Sequence, residues 1–291
     1  MIVYKSKSRL VFQIFNYSFL IFFSLLIIVP FINIIAVSFS GFDAIIAGKV
    51  KLWPVDFTTS GYMNIFTNST MWRAVLVTIY VTITNTFLTI IIALMAGYAL
   101  SHKSMKFKKF FIYFFMVIMY FNGGMIPFYL VVNKLGLYNT AYALVLPFVI
   151  NVFYIIVFRN SIMQLPQDLI DAAEIDGAGV FLTLFNVVVP LLTPMIAAFT
   201  IFSAVGNWNS WYNVLLFARD RELWTLQYKL REILVNLEII SDYQSVFAVR
   251  TLHPENLKMA AIIFCILPIM LLYPLLQRFF IHGVIVGAVK G

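Results

Sequence analysis

Six long apolar runs divide the chain, and they limit its possible folds more than any other feature. The runs cover residues of about 14–37, 74–100, 109–132, 140–159, 187–206 and 258–281. A helix needs about 20 mostly apolar residues to cross the hydrocarbon core of a bilayer. The runs are continuous, whereas the strands of a membrane barrel alternate between apolar and polar residues. The sequence therefore predicts an all-α, polytopic membrane protein with six transmembrane helices.

The composition agrees with a lipid environment. Of the 291 residues, 62% are hydrophobic and 11% are charged, whereas a soluble domain has roughly 45–50% apolar and ~25% charged residues. The net charge of +8 does not indicate nucleic-acid binding, because Lys and Arg are scattered or flank the apolar runs. The first run is longer than the roughly 7–15 apolar residues of a signal peptide, so we expect it to be retained as a span.

Basic residues near the ends of the runs predict the orientation of the chain. The connection 101–109 holds four Lys and no acid, and three basic residues precede the first run. Both sets are expected on the cytoplasmic side, so residues 1–13 form a cytoplasmic N-terminus and both termini are cytoplasmic. The long loops 38–73 and 207–257 are then external, and residues 160–186 form a cytoplasmic loop.

The second run carries polar side chains on one helical face. They recur at intervals of four, three and four residues, which is the spacing of a single face. The residues are Thr78, Thr82, Asn85 and Thr89. Such a stripe either packs helices together through small and hydroxyl groups or forms a polar wall of a solute path, and the two roles do not exclude each other.

The third run is interrupted at residues 120–127, which read YFNGGMIP. Two adjacent glycines followed by Pro127 predict a break or a kink. Broken backbone is tolerated at membrane depth only where protein buries it or water reaches it. The break therefore marks either the end of a span and a surface turn, or part of a transport path.

The connection 207–257 predicts an amphipathic helix that lies on the membrane or under a partner protein. Its apolar residues follow helical spacing and are Leu223, Leu226, Leu230, Ile233 and Leu237. The Trp and Tyr residues at its start are either interfacial anchors or platforms on which sugar rings stack. Candidate contacts for a transported solute are Asn85, Tyr120, Asn122, Asn151, Asn207, Trp208 and Asn209.

Common motifs of catalysis are absent from the sequence. It contains no G-x-x-x-x-G-K-[ST] phosphate loop, no H-E-x-x-H and no G-x-S-x-G. The three histidines are far apart and off any metal-ligand spacing. The apolar runs hold almost none of the acids that ion-coupled carriers keep in the membrane. We therefore predict a membrane path with no enzyme activity and no cofactor of its own, driven by energy from another protein.

The segment LPQDLIDAAEIDGAG, residues 165–179, concentrates four acids within nine residues. Pro166 suits the first position of a helix, Asp168 its first turn and Gly177 its end, which predicts a helix over 166–176. A helical wheel gives an apolar side of Leu169, Ile170, Ala172, Ala173 and Gly177, and an acidic side of Asp168, Asp171 and Glu174. This pattern indicates either a joint with another protein or a solvated helix that rests on the bundle.

The longer stretch DAAEIDGAGVFLTLFNVVVP resembles the EAA loop of ATP-binding-cassette (ABC) importer permeases, whose pattern is E-A-A-x-x-D-G-A with a later proline. The matching residues are Ala172, Ala173, Asp176, Gly177, Ala178 and Pro190. Asp171 replaces the leading Glu and keeps its charge. The segments NGGMIPFYLVVNKLGLYNTAYALVLP, WNSWYNVLLFA and GVIVGAVKG are similar to the carbohydrate-uptake group of these permeases, of the maltose and lipo-oligosaccharide type.

The resemblance implies a single permease domain over residues 14–291, with the ABC type I importer fold, in a bacterial cytoplasmic membrane. It implies a second homologous permease subunit, a cytoplasmic ATPase dimer that holds ATP and Mg, and an external lipoprotein that delivers a carbohydrate. The ATPase would couple through the EAA loop, at Asp171, Ala172, Ala173, Glu174, Asp176, Gly177 and Ala178. An importer of another solute, or a secondary carrier that works alone, is the alternative.

Overall fold

A computed structural model describes residues 7–121, 123–243 and 255–271. Within these ranges the regular structure is helical and contains no strand, which confirms the prediction of an all-α chain. The helices are α1 Lys7–Ser38, α2 Phe42–Ile46, α3 Ser60–Thr67, α4 Ser69–Ser101, α5 Lys108–Tyr120, α6 Met125–Lys134, α7 Val152–Ile162, α8 Gln167–Ile175, α9 Val180–Thr183, α10 Val189–Leu191, α11 Thr193–Trp208, α12 Tyr212–Phe217, α13 Leu226–Tyr243 and α14, residues 255–271.

Two of the described helices are by themselves long and apolar enough to cross a membrane, over Ser8–Ser38 and Ser69–Ser101. Three further candidates are helix pairs bent at a short break, so the described part of the chain supplies up to five spans. The sixth predicted span, 258–281, is helical to residue 271 and otherwise lies outside the described residues. The count of six therefore stays a prediction.

The third predicted span divides where the sequence placed a break. Helix α5 ends at Tyr120 and α6 begins at Met125, and Gly124 precedes α6 with φ +87°. Glycine adopts this backbone conformation at no steric cost. Pro127 lies in the first turn of α6, where the backbone N–H has no helical partner to lose. The break is therefore confirmed, but glycine makes it and the proline does not.

The fourth predicted span is also not a single straight helix. It begins as two short 3-10 turns, Ala141–Leu144 and Leu146–Phe148, and continues as α7 after a bend of 43°. The side-chain oxygen of Asn151 accepts a hydrogen bond from the N–H of Tyr154 at 3.1 Å. This bond caps the N-terminus of α7 and starts the regular part of the helix.

The fifth predicted span, 187–206, is bent in the structure. Helical structure begins at Val180, passes through one π-helical turn, and bends by 85° before α11. Pro194 has no N–H for the carbonyl of Pro190, so the helical ladder is interrupted at this point. The hydroxyl of Thr193 donates to the Pro190 oxygen at 2.9 Å and replaces the missing bond. The missing N–H of Pro194 thus explains the bend.

The described residues 7–69, 232–243 and 255–267 form one compact unit, in which Asn256 joins α1, α3 and α14. This side chain is fully buried, and its amide nitrogen donates to the carbonyls of Ser38 and Ser40 at 2.9 Å each. Its oxygen lies against Gly61, where a Cβ atom would collide with it. The end of α1 is thereby fixed to α14 beside α3.

The described residues 70–121, 123–231 and 268–271 belong to the second compact unit. Its first apolar cluster is built from α4, α7, α8 and α11 and includes Ile90, Leu94, Tyr98, Phe158, Ile170, Leu184 and Phe199. Its second cluster includes Val81, Val132, Leu144, Val214 and Phe217. Helix α8 belongs to the first cluster, so the acidic segment is anchored in the core of this unit.

Candidate functional site

The acidic segment forms α8, which is one residue shorter at each end than predicted. Pro166 precedes the helix as its N-cap, and Gly177 follows it with φ +82°. The N–H of Gly177 donates to Glu174 O at 3.0 Å, and the N–H of Ala178 donates to Ala173 O at 2.9 Å. This pair of bonds is a Schellman motif, which needs a residue in the left-handed region. The prediction that Gly177 ends the helix is confirmed.

The apolar residues of α8 are divided into an anchor and exposed side chains, and the latter include Ile175, which was not part of the predicted apolar side. Ile170 is only 6% exposed and packs in the first apolar cluster. Leu169 is 46% exposed, Ile175 is 85% exposed, and Ala172 is exposed as well. We call Leu169, Ala172 and Ile175 the exposed apolar surface of α8. Apolar side chains grouped at a surface mark a site where another molecule binds.

Two of the predicted acidic residues face the basic connection of the same chain. Asp171 and Glu174 line a cavity of about 330 Å³, whose other walls include His102, Lys103 and Lys108. The nearest approach is 3.9 Å, between His102 Nε2 and Glu174 Oε1. The acidic side of α8 is therefore oriented toward the connection between α4 and α5, in addition to being exposed.

All the predicted coupling residues lie in one continuous segment. Ala173 and Ala178 are half-buried, and the other five are exposed. The segment is α8 with its C-terminal turn, and it carries Asp171, Ala172, Ala173, Glu174, Asp176, Gly177 and Ala178.

The structure brings two of the candidate solute contacts together. The amide nitrogen of Asn207 lies 3.2 Å from Asn85 Oδ1, 3.3 Å from Thr86 Oγ1 and 3.2 Å from Ser203 Oγ. Asn85 is 2% exposed and also accepts from the hydroxyl of Thr89 at 3.1 Å. These five residues, which we call the polar cluster, join α4 to α11. Thr86 and Ser203 were not among the predicted solute contacts, although Ser203 precedes Asn207 by one helical turn.

Hydrogen bonds within the unit use most of the polar stripe of α4. The amide nitrogen of Asn85 donates to Val145 O at 3.2 Å, and the hydroxyl of Thr78 accepts from Leu226 N at 2.7 Å. The Thr82 hydroxyl is among the described buried atoms that have no hydrogen-bond partner. The stripe therefore packs helices together, as one of the two interpretations held.

The other candidate solute contacts do not gather into one site among the described residues. Asn151 caps α7, and Trp208 is buried at 6% exposure. Tyr120 and Asn209 are exposed. Asn122 lies outside the described residues.

The predicted amphipathic helix after α12 begins at Leu226, which is fully buried. Cations cover the aromatic rings near its start: Arg231 lies 4.0 Å from the ring of Trp211, and Lys229 lies 5.2 Å from that of Trp224. Cation–π contacts of this kind occupy ring faces on which a sugar would have to stack. The structure therefore favours structural roles for these two tryptophans.

The apolar spans and the exposed surface of α8 are typical of a membrane subunit that works with other proteins. The model of the family described as "Binding-protein-dependent transport system inner membrane component" matches residues 89–286. The chain belongs to this family, and the prediction of an ABC importer permease is confirmed.

Relatives and a solved structure support this assignment over the full length of the chain. The polygalacturonan/rhamnogalacturonan transport system permease protein YtcP of Bacillus subtilis is 34% identical, over 98% of this chain and 100% of the relative. Protein LplC of the same organism is 33% identical, over 99% and 98% of the two chains. A crystal structure of a bacterial ABC transporter that imports the acidic polysaccharide alginate contains a chain with a TM-score of 0.87 and 29% identity, matched over 96% of this chain and 100% of that one.

Proposed function

We propose that this chain is a permease subunit of an ABC importer that carries an oligosaccharide across a bacterial cytoplasmic membrane. The observation that carries the proposal is the similarity, over nearly the whole chain, to a permease named for polygalacturonan and rhamnogalacturonan. An arabinooligosaccharide permease, AraQ of Halalkalibacterium halodurans, is 28% identical over 93% of this chain. The subunit has the type I importer fold, with residues 14–291 as one permease domain, six spans and both termini in the cytoplasm.

The energy comes from a separate cytoplasmic ATPase dimer, which holds ATP and Mg and docks on α8. The exposed apolar surface of α8 supports this docking, because a partner protein that shields Leu169 and Ile175 from water stabilises the complex. Covering a fully exposed side chain of this size gains about 1.5–3 kcal/mol. Since Ile175 is 85% exposed, we place it at the centre of the contact, within the coupling loop 160–186.

Transport proceeds by alternating access, in which the bound ATPase favours one of two arrangements of the spans. A second homologous permease subunit and membrane lipid cover α1, because only 11% of its most apolar stretch is buried within the described chain. An external solute-binding lipoprotein delivers the sugar to the loop 207–257. Asn207 is the half-buried edge of the polar cluster and the described residue best placed to reach the path.

Reconstitution tests this proposal. The chain is purified with its partner permease, ATPase and lipoprotein and placed in liposomes, and uptake of labelled oligogalacturonate and arabinooligosaccharide is measured. We expect uptake of at least one sugar that requires both the lipoprotein and ATP. Uptake by this chain alone without ATP would make it a secondary carrier, and ATP-driven uptake of peptides but no sugar would make it an importer of another solute.

A further inference from the structure

The cytoplasmic end of α4 is held by an unusual set of hydrogen bonds. The last four carbonyls of an α-helix have no partner within the helix. In α4 these carbonyls belong to Tyr98, Ala99, Leu100 and Ser101. Each of the four accepts a hydrogen bond from a different donor.

Two of the donors are local. The hydroxyl of Ser101 donates to Tyr98 O at 2.6 Å, and the N–H of His102 donates to Ala99 O at 3.3 Å. Bonds of this kind end many helices. They would not by themselves attach α4 to a neighbouring helix.

The other two donors are cations from different helices. Arg159 of α7 donates through Nε to Leu100 O at 3.3 Å. Lys108, the first residue of α5, donates through Nζ to Ser101 O at 2.9 Å and to His102 O at 3.2 Å. Positive charge is favourable at the negative end of a helix dipole. Helices α5 and α7 are thereby attached to the same end of α4.

Gly97 brings α4 and α7 into direct backbone contact one turn earlier. A Cβ atom at this position would lie 2.9 Å from the Cβ of Phe158, 3.0 Å from the nitrogen of Arg159 and 3.1 Å from the oxygen of Ile155. Two of these three atoms are backbone atoms, which cannot move without moving α7. We call Gly97, Lys108 and Arg159 the α4 clasp.

Helix α8 is attached to the clasped helices. Ile170 packs in the same cluster as Leu100 of α4 and Ile162 of α7. Glu174 approaches His102 at 3.9 Å, directly after the end of α4. A displacement of α8 would therefore act on α4 and α7 together.

The other end of this connection is the polar cluster. Asn85 lies twelve positions before Gly97 on the uninterrupted helix α4, a distance of about 18 Å at 1.5 Å per residue. Helix α4 contains no proline, and Gly97 is its only glycine. The helix can therefore act as a straight rod between α8 and the bonds that join α4 to α11.

We propose that the α4 clasp is a set of positioning residues that make α4, α7 and α8 move as one block. A movement of α8 is then carried along α4 to the polar cluster, where the hydrogen bonds of Asn207 pass it to α11. This inference rests on the proposed function of α8 as the docking helix of an ATPase. It names the residues that transmit a displacement of α8 to α4 and α7.

A distance measurement tests the block directly. The chain has a single cysteine, Cys265, which is fully buried, so spin labels can be directed to introduced cysteines. Asp168→Cys labels α8, and Ile83→Cys labels the exposed side of α4 near the polar cluster. We expect the distance between the two labels in the reconstituted importer to be the same with and without ATP.

The same samples separate failure of the inference from failure of the proposed function. A distance that changes with ATP, in a complex that hydrolyses ATP in response to sugar, would overturn the block and leave the importer intact. A parental complex without sugar-stimulated hydrolysis would overturn the proposed function and this inference with it. An added Arg159→Met change is expected to make the distance depend on ATP, whereas Arg159→Lys, which keeps the cation, is expected not to.

Transport per ATP gives a second test with a matched control. Gly97→Val places a side chain against the backbone of α7, whereas Ala99→Val places the same side chain on the exposed side of α4. We expect Gly97→Val to lower the sugar moved per ATP by about tenfold, the scale of coupling changes in such networks, while the ATPase still co-purifies. Equal transport per ATP in the two variants would contradict the proposal. If Gly97→Val does not fold, the ratio in Arg159→Met against Arg159→Lys decides in the same way.

Discussion

Helix α8 and the polar cluster differ in how their side chains are satisfied. On α8, Ile175 and Leu169 are exposed, and Ile170 provides the anchor to the core. In the polar cluster, Asn85 is buried and both ends of its amide are hydrogen-bonded. An exposed apolar surface gains free energy when a partner covers it, whereas a satisfied buried network already stabilises the chain by itself. The difference teaches that α8 leaves apolar side chains available to a partner, whereas the cluster uses its polar groups within its own unit.

The largest effect is expected for a substitution on α8, measured as affinity for the ATPase. Ile175→Asp places a charge on the exposed apolar surface, and an interface residue of this kind contributes about 2 kcal/mol or more to binding. We expect affinity for the ATPase to fall at least ~30-fold, as measured by titration of the purified permease pair. Ile46→Asp, at a similarly exposed position of α2, is the control and should not change this affinity. Unchanged affinity in Ile175→Asp would show that α8 is not the docking surface.

A substitution in the polar cluster should instead lower the stability of the chain and leave its affinity for the ATPase unchanged. Asn85→Leu removes the bonds to Val145, Thr89 and Asn207, and inter-helix bonds in membranes contribute about 0.6 to 1.7 kcal/mol each. We expect the free energy of unfolding in detergent to fall by roughly 1–3 kcal/mol, with ATPase affinity unchanged. Asn64→Leu, the same change at an exposed position of α3, is the control. A stability equal to that of the control would mean that the cluster does not hold α4 to α11.

Gly177→Ala should have a smaller effect on α8. With φ at +82°, a Cβ atom in the left-handed region costs about 1–2 kcal/mol, so the last turn of α8 should loosen. We expect the affinity for the ATPase to fall about fivefold. The helical content of the folded chain, measured by circular dichroism, should stay the same. Gly179→Ala is the matched control, since a Cβ there meets no neighbouring atom and φ is not positive. Equal affinity in the two variants would show that the Schellman turn does not shape the contact.

The smallest effect is expected at Glu174. Its distance of 3.9 Å to His102 and its exposure of 53% describe a solvent-screened pair, and such pairs contribute about 0–1 kcal/mol. Glu174→Gln should therefore change stability by less than about 1 kcal/mol, as measured by thermal unfolding at low and high salt. A larger loss that disappears in salt would mean that this pair, and not Ile170, anchors α8.

Much of α8 could be predicted from the sequence because its signals are local. Pro166 and Gly177 mark its ends within one turn, and both act through their own backbone angles. Gly124 and its neighbour marked the break before α6 in the same way. What the pattern could not give is which apolar residue turns inward, since Ile170 and Leu169 differ only in what packs against them.

The contacts between helices could not be predicted in this way. Arg159 and Leu100 are 59 positions apart in the chain, and no spacing rule links a cation in one span to the end of another. Gly97 looked like any small residue in a membrane helix until α7 was placed against it. The bend of 85° in the fifth span depends on Pro194 and on the Thr193 hydroxyl, which bonds the carbonyl that Pro194 leaves without a donor. The bend angle could therefore not be predicted from the positions of the prolines.

Photo-crosslinking at Ile175 tests the central claim most directly. A photoreactive amino acid replaces Ile175 in cells that express the complete transport system, and a second strain carries it at Ile46. The account predicts a covalent adduct with an ATPase subunit from position 175 and none from position 46. Absence of the ATPase adduct at position 175, in a complex that still takes up sugar, would contradict the assignment of α8 as the coupling helix.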